Sequence, residues 1–195
     1  MKRAMIIAKE KMINDINAVL PITNYQAISK TDNGIDALRM AQRLKPDLII
    51  CGWDITGLSA LDLIQNLIQA HLCPVILVLE EKEYVNLSIA VKMNPHHILT
   101  APIRALDVVS AIIQAEQRFN IERLRMEEVR RLNDEIKTRK IIYQAVLILV
   151  SSGMDEDTAY NAMRSHAMSS RKTIKAVAVE VIKGLWKPYE NKTDE

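Results

Sequence analysis

Short apolar runs alternate with amphipathic segments along the first part of the chain. Five runs of strand length are separated by turn residues, and they predict strands at Ala4–Ile7, Tyr25–Ile28, Leu48–Cys51, Val75–Leu79 and His97–Leu99. Between and after them, apolar residues recur every three or four positions, which predicts helices at Asn14–Leu20, Ile35–Leu44, Ala60–Leu67, Tyr84–Met93 and Ala105–Ile113. This alternation predicts an α/β domain whose parallel sheet is covered on both faces.

The pattern changes after this domain. The segment from Glu116 to Lys140 is rich in Arg and Glu and lacks Gly and Pro, so we predict one helix that continues into the next apolar segment. Apolar residues at spacings of three and four predict a short coiled-coil seam at Val129, Leu132, Ile136 and Tyr143. Two interpretations remain open: a homodimer through this seam, or a solvated helix between domains.

The last third of the chain predicts three consecutive helices. Nearly every residue of Ile141–Val150 is apolar, so we expect a helix contacted from several sides. Gly153 follows its end, and Asp155 is the expected N-cap of the second helix. Ser169 and Ser170 are expected to provide the N-cap of the third.

Apolar spacing in these helices predicts a small core. The second helix places Ala159, Met163 and Ala167 on one face, and we also expect Met168 to pack inside. The third helix carries an apolar stripe at Ile174, Val177, Ala178, Val181, Ile182 and Leu185. Trp186 is expected to cap the core, with base stacking by Trp186 or Tyr189 as the alternative.

Positive charge is concentrated in the same region. Between Arg164 and Lys183, the single acid is Glu180 and the basic residues are Arg164, Arg171, Lys172, Lys175 and Lys183. We refer to them as the basic arc. Charge alone usually marks a solvated face, and the net charge of +2 for the whole chain favours no particular partner.

Residue spacing in this region carries a family resemblance. The region resembles the ANTAR domain of transcription antitermination regulators. The resemblance rests on three patterns in this order: R-x-x-I-x-x-A-x-x-I-L, G-M-x-E-x-x-A-Y-x-x-M-R-x-x-A-M and R-K-x-I-x-x-V-A. The resemblance implies binding of paired hairpins in mRNA leaders. We expect the RNA contacts at Arg164, Arg171, Lys172, Lys175, Arg139 and Gln144.

Some positions in the resemblance allow two roles or depart from the family pattern. Ala145, Ala159 and Ala178 occupy small positions, and either close approach of RNA or close helix packing explains them. Val146 and Leu147 stand where many relatives have Lys-Gly. That difference removes a cationic contact and adds apolar surface.

The first domain resembles a response-regulator receiver of the flavodoxin-like class, through NGIDALRMAQRLKPDLII, the turn at Gly57 and the late Pro102. Receivers need an acidic pair for Mg²⁺, an aspartate phosphoacceptor, a hydroxyl and a lysine. The corresponding positions here are Ala8 and Lys9, Gly52, Leu79, and Ala101. The resemblance therefore implies a degenerate phosphorylation site, and a shifted register that uses Asp54 is disfavoured.

Other chemistry is not indicated by the sequence. Nucleotide-loop and hydrolase motifs such as GxxxxGK[ST], GxGxxG, HExxH and GxSxG do not occur, so we predict neither an enzyme nor a cofactor.

Cys51 and Cys73 lie in apolar segments and predict buried thiols. His96 and His97 have no ligand spacing, so we expect a surface turn and no metal. No apolar run reaches the roughly 18 residues of a membrane span, which favours the cytoplasm.

These observations predict a pseudo-receiver at 1–118, a coiled-coil linker helix at 119–138 and an all-α ANTAR bundle at 139–190. The predicted function is RNA-binding transcription antitermination by a homodimer, with a regulatory protein as a further partner. The alternative is a protein-interaction or dimerisation module that does not bind nucleic acid.

Overall fold

The computed structural model describes residues 1–188. It divides into two compact units, one from Met1 to Arg125 and one from Met126 onward. The first unit contains two hydrophobic cores, and the second unit contains one. Among the described residues, no helix combines the length and the apolar character that crossing a membrane requires.

The first unit is built on a five-stranded parallel sheet, as the sequence predicted. Its strands are β1 (Lys2–Ile7), β2 (Tyr25–Thr31), β3 (Leu48–Gly52), β4 (Val75–Leu79) and β5 (His97–Thr100), in the order β2-β1-β3-β4-β5. Every residue of β3 and β4 is buried, because helices cover both faces of a parallel sheet.

Helices connect the strands and form two separate cores. The helices of this unit are α1 (Glu10–Val19), α2 (Gly34–Leu44), α3 (Ala60–Gln69), α4 (Leu87–Lys92) and the start of α5 (Ala105–Ser151). Short 3₁₀ turns lie at Leu20–Thr23 and Glu81–Asn86. One core joins α1 and α5 to alternate strand residues, and the other joins α2, α3 and α4 to the remaining ones.

Three helices differ from the prediction by more than two residues at one boundary. Helix α1 begins at Glu10, before the predicted start, and Tyr84 lies in a 3₁₀ turn rather than in α4. Helix α5 has no break after Ile113 and runs unbroken to Ser151. Neither Gly nor Pro occurs between Ala105 and Ser151, so no residue in that range stops the helix.

The expectation of a surface turn at His96 is wrong. The side chain is 3% exposed, and its Nδ1 accepts a hydrogen bond from the Val75 backbone N–H at 3.0 Å. Burial lowers its pKa, which favours the neutral ring. The prediction of buried thiols is confirmed, because Cys51 and Cys73 are 0% and 3% exposed. This burial raises the pKa of both thiols to about 12.

The second unit contains the end of α5, α6 (Glu156–Ser169) and α7 (Ile174–Ile182). Its core includes Ala145, Leu149, Met163 and Val177, each at most 1% exposed. The predicted fold class is therefore confirmed: an α/β domain, then a long helix, then a helical bundle.

Of the two predicted N-caps in this unit, one is confirmed and the other is wrong. Asp155 caps α6, since its carboxylate accepts a hydrogen bond from the Thr158 N–H at 3.0 Å. Helix α7 is capped by Thr173 and not by the serine pair. The Ser169 and Ser170 hydroxyls instead donate to the His166 carbonyl, at 3.1 and 2.5 Å, at the end of α6.

Two packing expectations for this unit are also wrong. Met168 is 74% exposed, because it lies on the opposite side of α6 from Met163. Ile141–Val150 is buried on one side only, and Tyr143 and Leu147 are 56% and 48% exposed. Helices α6 and α7 cover only one flank of α5 within the described chain.

Candidate nucleic-acid interface

Four cations of the basic arc lie on α6, on α7 and on the link between them. Arg164 is on α6, Lys175 is in the first turn of α7, and Arg171 and Lys172 lie between the two helices. All four side chains are exposed. The structure thus places these four predicted RNA contacts on the surface of the second unit.

Arg171 has a backbone conformation that is rare for a side-chain-bearing residue. Its φ is +55°, and this left-handed residue ends α6. The following Lys172 N–H donates to the Ala167 carbonyl at 2.9 Å, which satisfies one free carbonyl of the helix end. A cation at this position also interacts favourably with the negative end of the helix dipole.

The cations of the arc differ in their pairing. The Lys172 ammonium forms an ion pair with the Glu180 carboxylate at 2.5 Å. Within residues 1–188, no carboxylate forms an ion pair with Arg164, Arg171 or Lys175. A surface ion pair contributes only about 0–1 kcal/mol, so Lys172 can exchange its partner at low cost.

The two less central candidates lie on α5. Arg139 and Gln144 are both exposed there. Arg139 lines a groove of about 400 Å³ between α5 and α6, together with Tyr143 and Tyr160. Tyr160 was not among the residues predicted from the sequence, and its ring is 42% exposed.

The small residues of the resemblance are packing residues. Ala145, Ala159 and Ala178 are each 0% exposed. They lie in the core of the second unit, so the helix-packing explanation is the one the structure supports. They are not available for direct contact with RNA.

The end of the described chain packs on the same unit. Trp186 lies against the core, as predicted, and its ring stacks on His166 with centroids 4.5 Å apart and planes 18° apart. The His166 ring is therefore half-buried rather than free on the surface. Tyr189 lies outside the described residues.

The predicted coiled-coil seam is exposed along α5. The exposed fractions of Val129, Leu132, Ile136 and Tyr143 are 57%, 45%, 64% and 56%. The seam remains a prediction, since it needs a second helix to cover it.

The positions that correspond to the receiver chemistry lie where the strands end. Gly52 ends β3, Leu79 ends β4, and Ala8 and Ala101 directly follow β1 and β5. A Cβ atom on Gly52 would lie 3.0 Å from Met12 Sδ and 3.3 Å from Ala8 Cβ. Met12 thus occupies space that a longer side chain at position 52 would need.

Charged residues beside this edge neutralise one another. Lys9 Nζ lies 2.5 Å from Asp54 Oδ2, and Lys82 Nζ lies 3.5 Å from the same oxygen. Lys82 also pairs with Glu80 at 3.1 Å. The hydrogen bond from Lys9 holds the pKa of Asp54 below its ordinary value. Our sequence reasoning had not identified Lys82 or Met12 as part of this edge.

Comparison with known proteins connects the second unit to a family. The model of the ANTAR domain matches residues 130–182. The chain is 25% identical over 191 residues to the transcriptional regulatory protein PdtaR of Mycobacterium tuberculosis, covering 97% of this chain and 93% of PdtaR.

The first unit is similar to solved receiver domains. A receiver domain of a diguanylate cyclase from Desulfovibrio desulfuricans aligns with a TM-score of 0.56 and 21% identity, over 63% of this chain and 98% of that one. A response-regulator receiver domain from Clostridium thermocellum aligns with a TM-score of 0.54 and 22% identity, over 62% and 98%. These likenesses establish the receiver fold.

Proposed function

We propose that this chain, an ANTAR regulator with a receiver-like domain, binds paired hairpins in nascent mRNA leaders and thereby prevents terminator formation. At the level of the family, the comparisons support a transcriptional antitermination regulator. The observation that carries the RNA proposal is the set of exposed cations Arg164, Arg171 and Lys175, which have no acidic partner among residues 1–188. They lie inside the ANTAR match.

The cations of the basic arc are suited to binding a folded transcript. Lys and Arg neutralise phosphates and release counterions, which makes binding strongly dependent on salt. Sequence-specific RNA recognition mostly uses unpaired loop bases, and hairpins present such bases above a charged stem. The regulator would act in the cytoplasm, where transcripts are made, and it needs no catalysis for this role.

A homodimer through Val129, Leu132 and Ile136 of the exposed seam, without Tyr143, would present two arcs. Binding of one hairpin would then raise the effective concentration of the second, and paired hairpins would bind more tightly than single ones. The apolar side chains Val129, Leu132 and Ile136, each at least 45% exposed, support this part of the proposal.

The receiver-like unit would act without the usual phosphorylation. Gly52 offers no carboxylate, Met12 fills the neighbouring space, and Lys9 pairs with Asp54 where receivers hold a metal ion. We propose that this unit is a scaffold for dimerisation or for docking of a regulatory protein.

The test is binding of the full chain to a labelled two-hairpin leader RNA at several salt concentrations. The double variant Arg171→Glu with Lys172→Glu should abolish binding. A control double variant, Lys30→Glu with Lys92→Glu, changes net charge equally but lies on the first unit and should bind like the wild type. The proposal fails if no leader RNA binds, or if both double variants lose affinity equally.

A protein-interaction module without a nucleic-acid role is the second candidate. The exposed apolar side chains of α5, including Tyr143 and Leu147, favour it. Under this alternative, leader RNAs would not bind, while changes such as Tyr143→Ala would release a protein partner.

A further inference from the structure

We infer that the groove between α5 and α6, lined by Tyr143 and Tyr160, receives one unpaired base of an RNA loop. This inference rests on the proposed function and specifies where a base, rather than the phosphate backbone, would bind. The groove has a volume of about 400 Å³ and lies wholly within the second unit. We call it the tyrosine groove.

The tyrosine groove combines an apolar floor with two exposed rings. Ile142 and Val146 line it, and Val146 is only 4% exposed. Tyr143 and Tyr160 are 56% and 42% exposed, so core packing does not account for either ring. An exposed aromatic ring beside an apolar surface offers the stacking platform that unpaired bases use.

The charges around the groove favour a base over a phosphate. Glu156 and Asp157 lie at the start of α6 and line one side, while Arg139 lines the groove from α5. Two carboxylates repel a phosphate, but they accept hydrogen bonds from the amino group of a base. Adenine, cytosine and guanine have an exocyclic amino group, whereas uracil donates only through N3–H. That group lies between two carbonyl oxygens that a carboxylate repels, so the groove should discriminate against uracil.

Cations of the proposed interface lie one helical turn from each ring. Arg139 and Tyr143 are four residues apart on α5, and Tyr160 and Arg164 are four residues apart on α6. Side chains at this spacing are neighbours, with Cβ atoms about 5–6 Å apart. A base held in the groove would therefore bring its flanking phosphates to Arg139 and Arg164.

The experiment uses the full chain and hairpins that share one stem but have loops made only of adenosine, cytidine or uridine. Affinity is measured by fluorescence anisotropy. The adenosine and cytidine loops should bind more tightly than the uridine loop. The variant Tyr160→Leu should lose about tenfold in affinity for the preferred loops and abolish the preference, while Tyr160→Phe should keep both.

A second readout reports stacking directly. The fluorescence of 2-aminopurine in the loop should be quenched by the wild type and by Tyr160→Phe, but not by Tyr160→Leu. Tyr84→Leu is the matched control, because Tyr84 is 40% exposed, close to the 42% of Tyr160, but lies in the first unit. It should leave both the affinity and the quenching unchanged.

The outcomes separate this inference from the proposed function. If hairpins bind with strong salt dependence but without loop preference, or if Tyr160→Leu retains the preference, the groove assignment is wrong and RNA binding stands. If no hairpin binds, both fail together. If Tyr160→Leu instead changes the mass of the protein in sedimentation, the groove holds a second copy of the chain, which also overturns the inference.

Discussion

Lysines at the sheet edge of the first unit and cations on the helices of the second unit are in different electrostatic situations. Lys9 and Lys82 both contact Asp54, and Lys82 also contacts Glu80. In the second unit Arg164 and Arg171 have no ion pair with any of residues 1–188. Internal pairing cancels the field of a cation, whereas an unpaired exposed cation attracts phosphate.

The pairing of these cations distinguishes two positively charged regions. The sequence alone does not show which of them is better suited to bind an anion. Counting charges would assign anion binding to Lys9 and Lys82 as readily as to the basic arc. Acidic residues beside Lys9 and Lys82 lower the positive potential of the sheet edge. Arg164 and Arg171 have no such ion pair among residues 1–188, so the helical unit is the better candidate for RNA. Lys172 is intermediate, because it is exposed but paired with Glu180.

The largest expected effect comes from removing core volume in the helical unit alone. Met163→Ala should destabilise that unit by about 2–5 kcal/mol, because Met163 is 0% exposed and its loss leaves a cavity. Hydrogen exchange should show faster exchange in α6 and α7 and no change in β3 and β4. Met168→Ala is the control, since Met168 is 74% exposed and should cost almost nothing. Equal effects of the two variants would contradict the packing.

Restoring a carboxylate at the sheet edge should not restore receiver chemistry. Gly52→Asp should destabilise the first unit by about 1–3 kcal/mol, because the new side chain meets Met12 and Ala8 in a filled space. Thermal unfolding measures this cost, and Gly52→Ala should cost less. Acetyl phosphate should not label the variant, because Lys9 stands where a metal ligand is needed. Stable, phosphorylated Gly52→Asp would show that the edge is not degenerate.

Removing the acidic partner of Lys172 should strengthen RNA binding by the helical unit. Glu180→Gln removes the partner of Lys172 and leaves its ammonium available to phosphate. We expect tighter binding to the two-hairpin leader by about two- to fivefold, and a slightly steeper salt dependence, as one added phosphate contact produces. Asp134→Asn, a neutralised acid outside the basic arc, is the control. Weaker binding by Glu180→Gln would mean that the ion pair itself positions Lys172.

The smallest effect concerns the titration of the sheet edge. The pKa of Asp54 is lowered by Lys9, so its ion pair is complete above the ordinary value of 3.8 and is lost as pH falls through the lowered pKa. Lys9→Ala should raise this pKa toward 3.8, as carbon NMR of the carboxyl group can measure. Lys30→Ala should not move it. Because both side chains are solvated, stability should hardly change.

Local patterns predicted much of the fold and the outline of the site. Apolar runs and helical spacing identified all five strands of the first unit, and the acid at Asp155 identified the cap of α6. These features depend on residues close together in the chain. Boundaries were less accurate, as Thr173 shows, because several hydroxyl residues in a row compete for one cap.

The sequence by itself determined the α/β order, the long helix after it, the missing carboxylate at Gly52 and the positive charge near the end of the chain. Only the tertiary structure decided that Lys9 pairs with Asp54, that Met12 fills the space beside Gly52, and that Tyr143 and Tyr160 line one groove. The physical reason is that periodicity records which residues face a core, whereas pairing depends on distances between segments far apart in the chain.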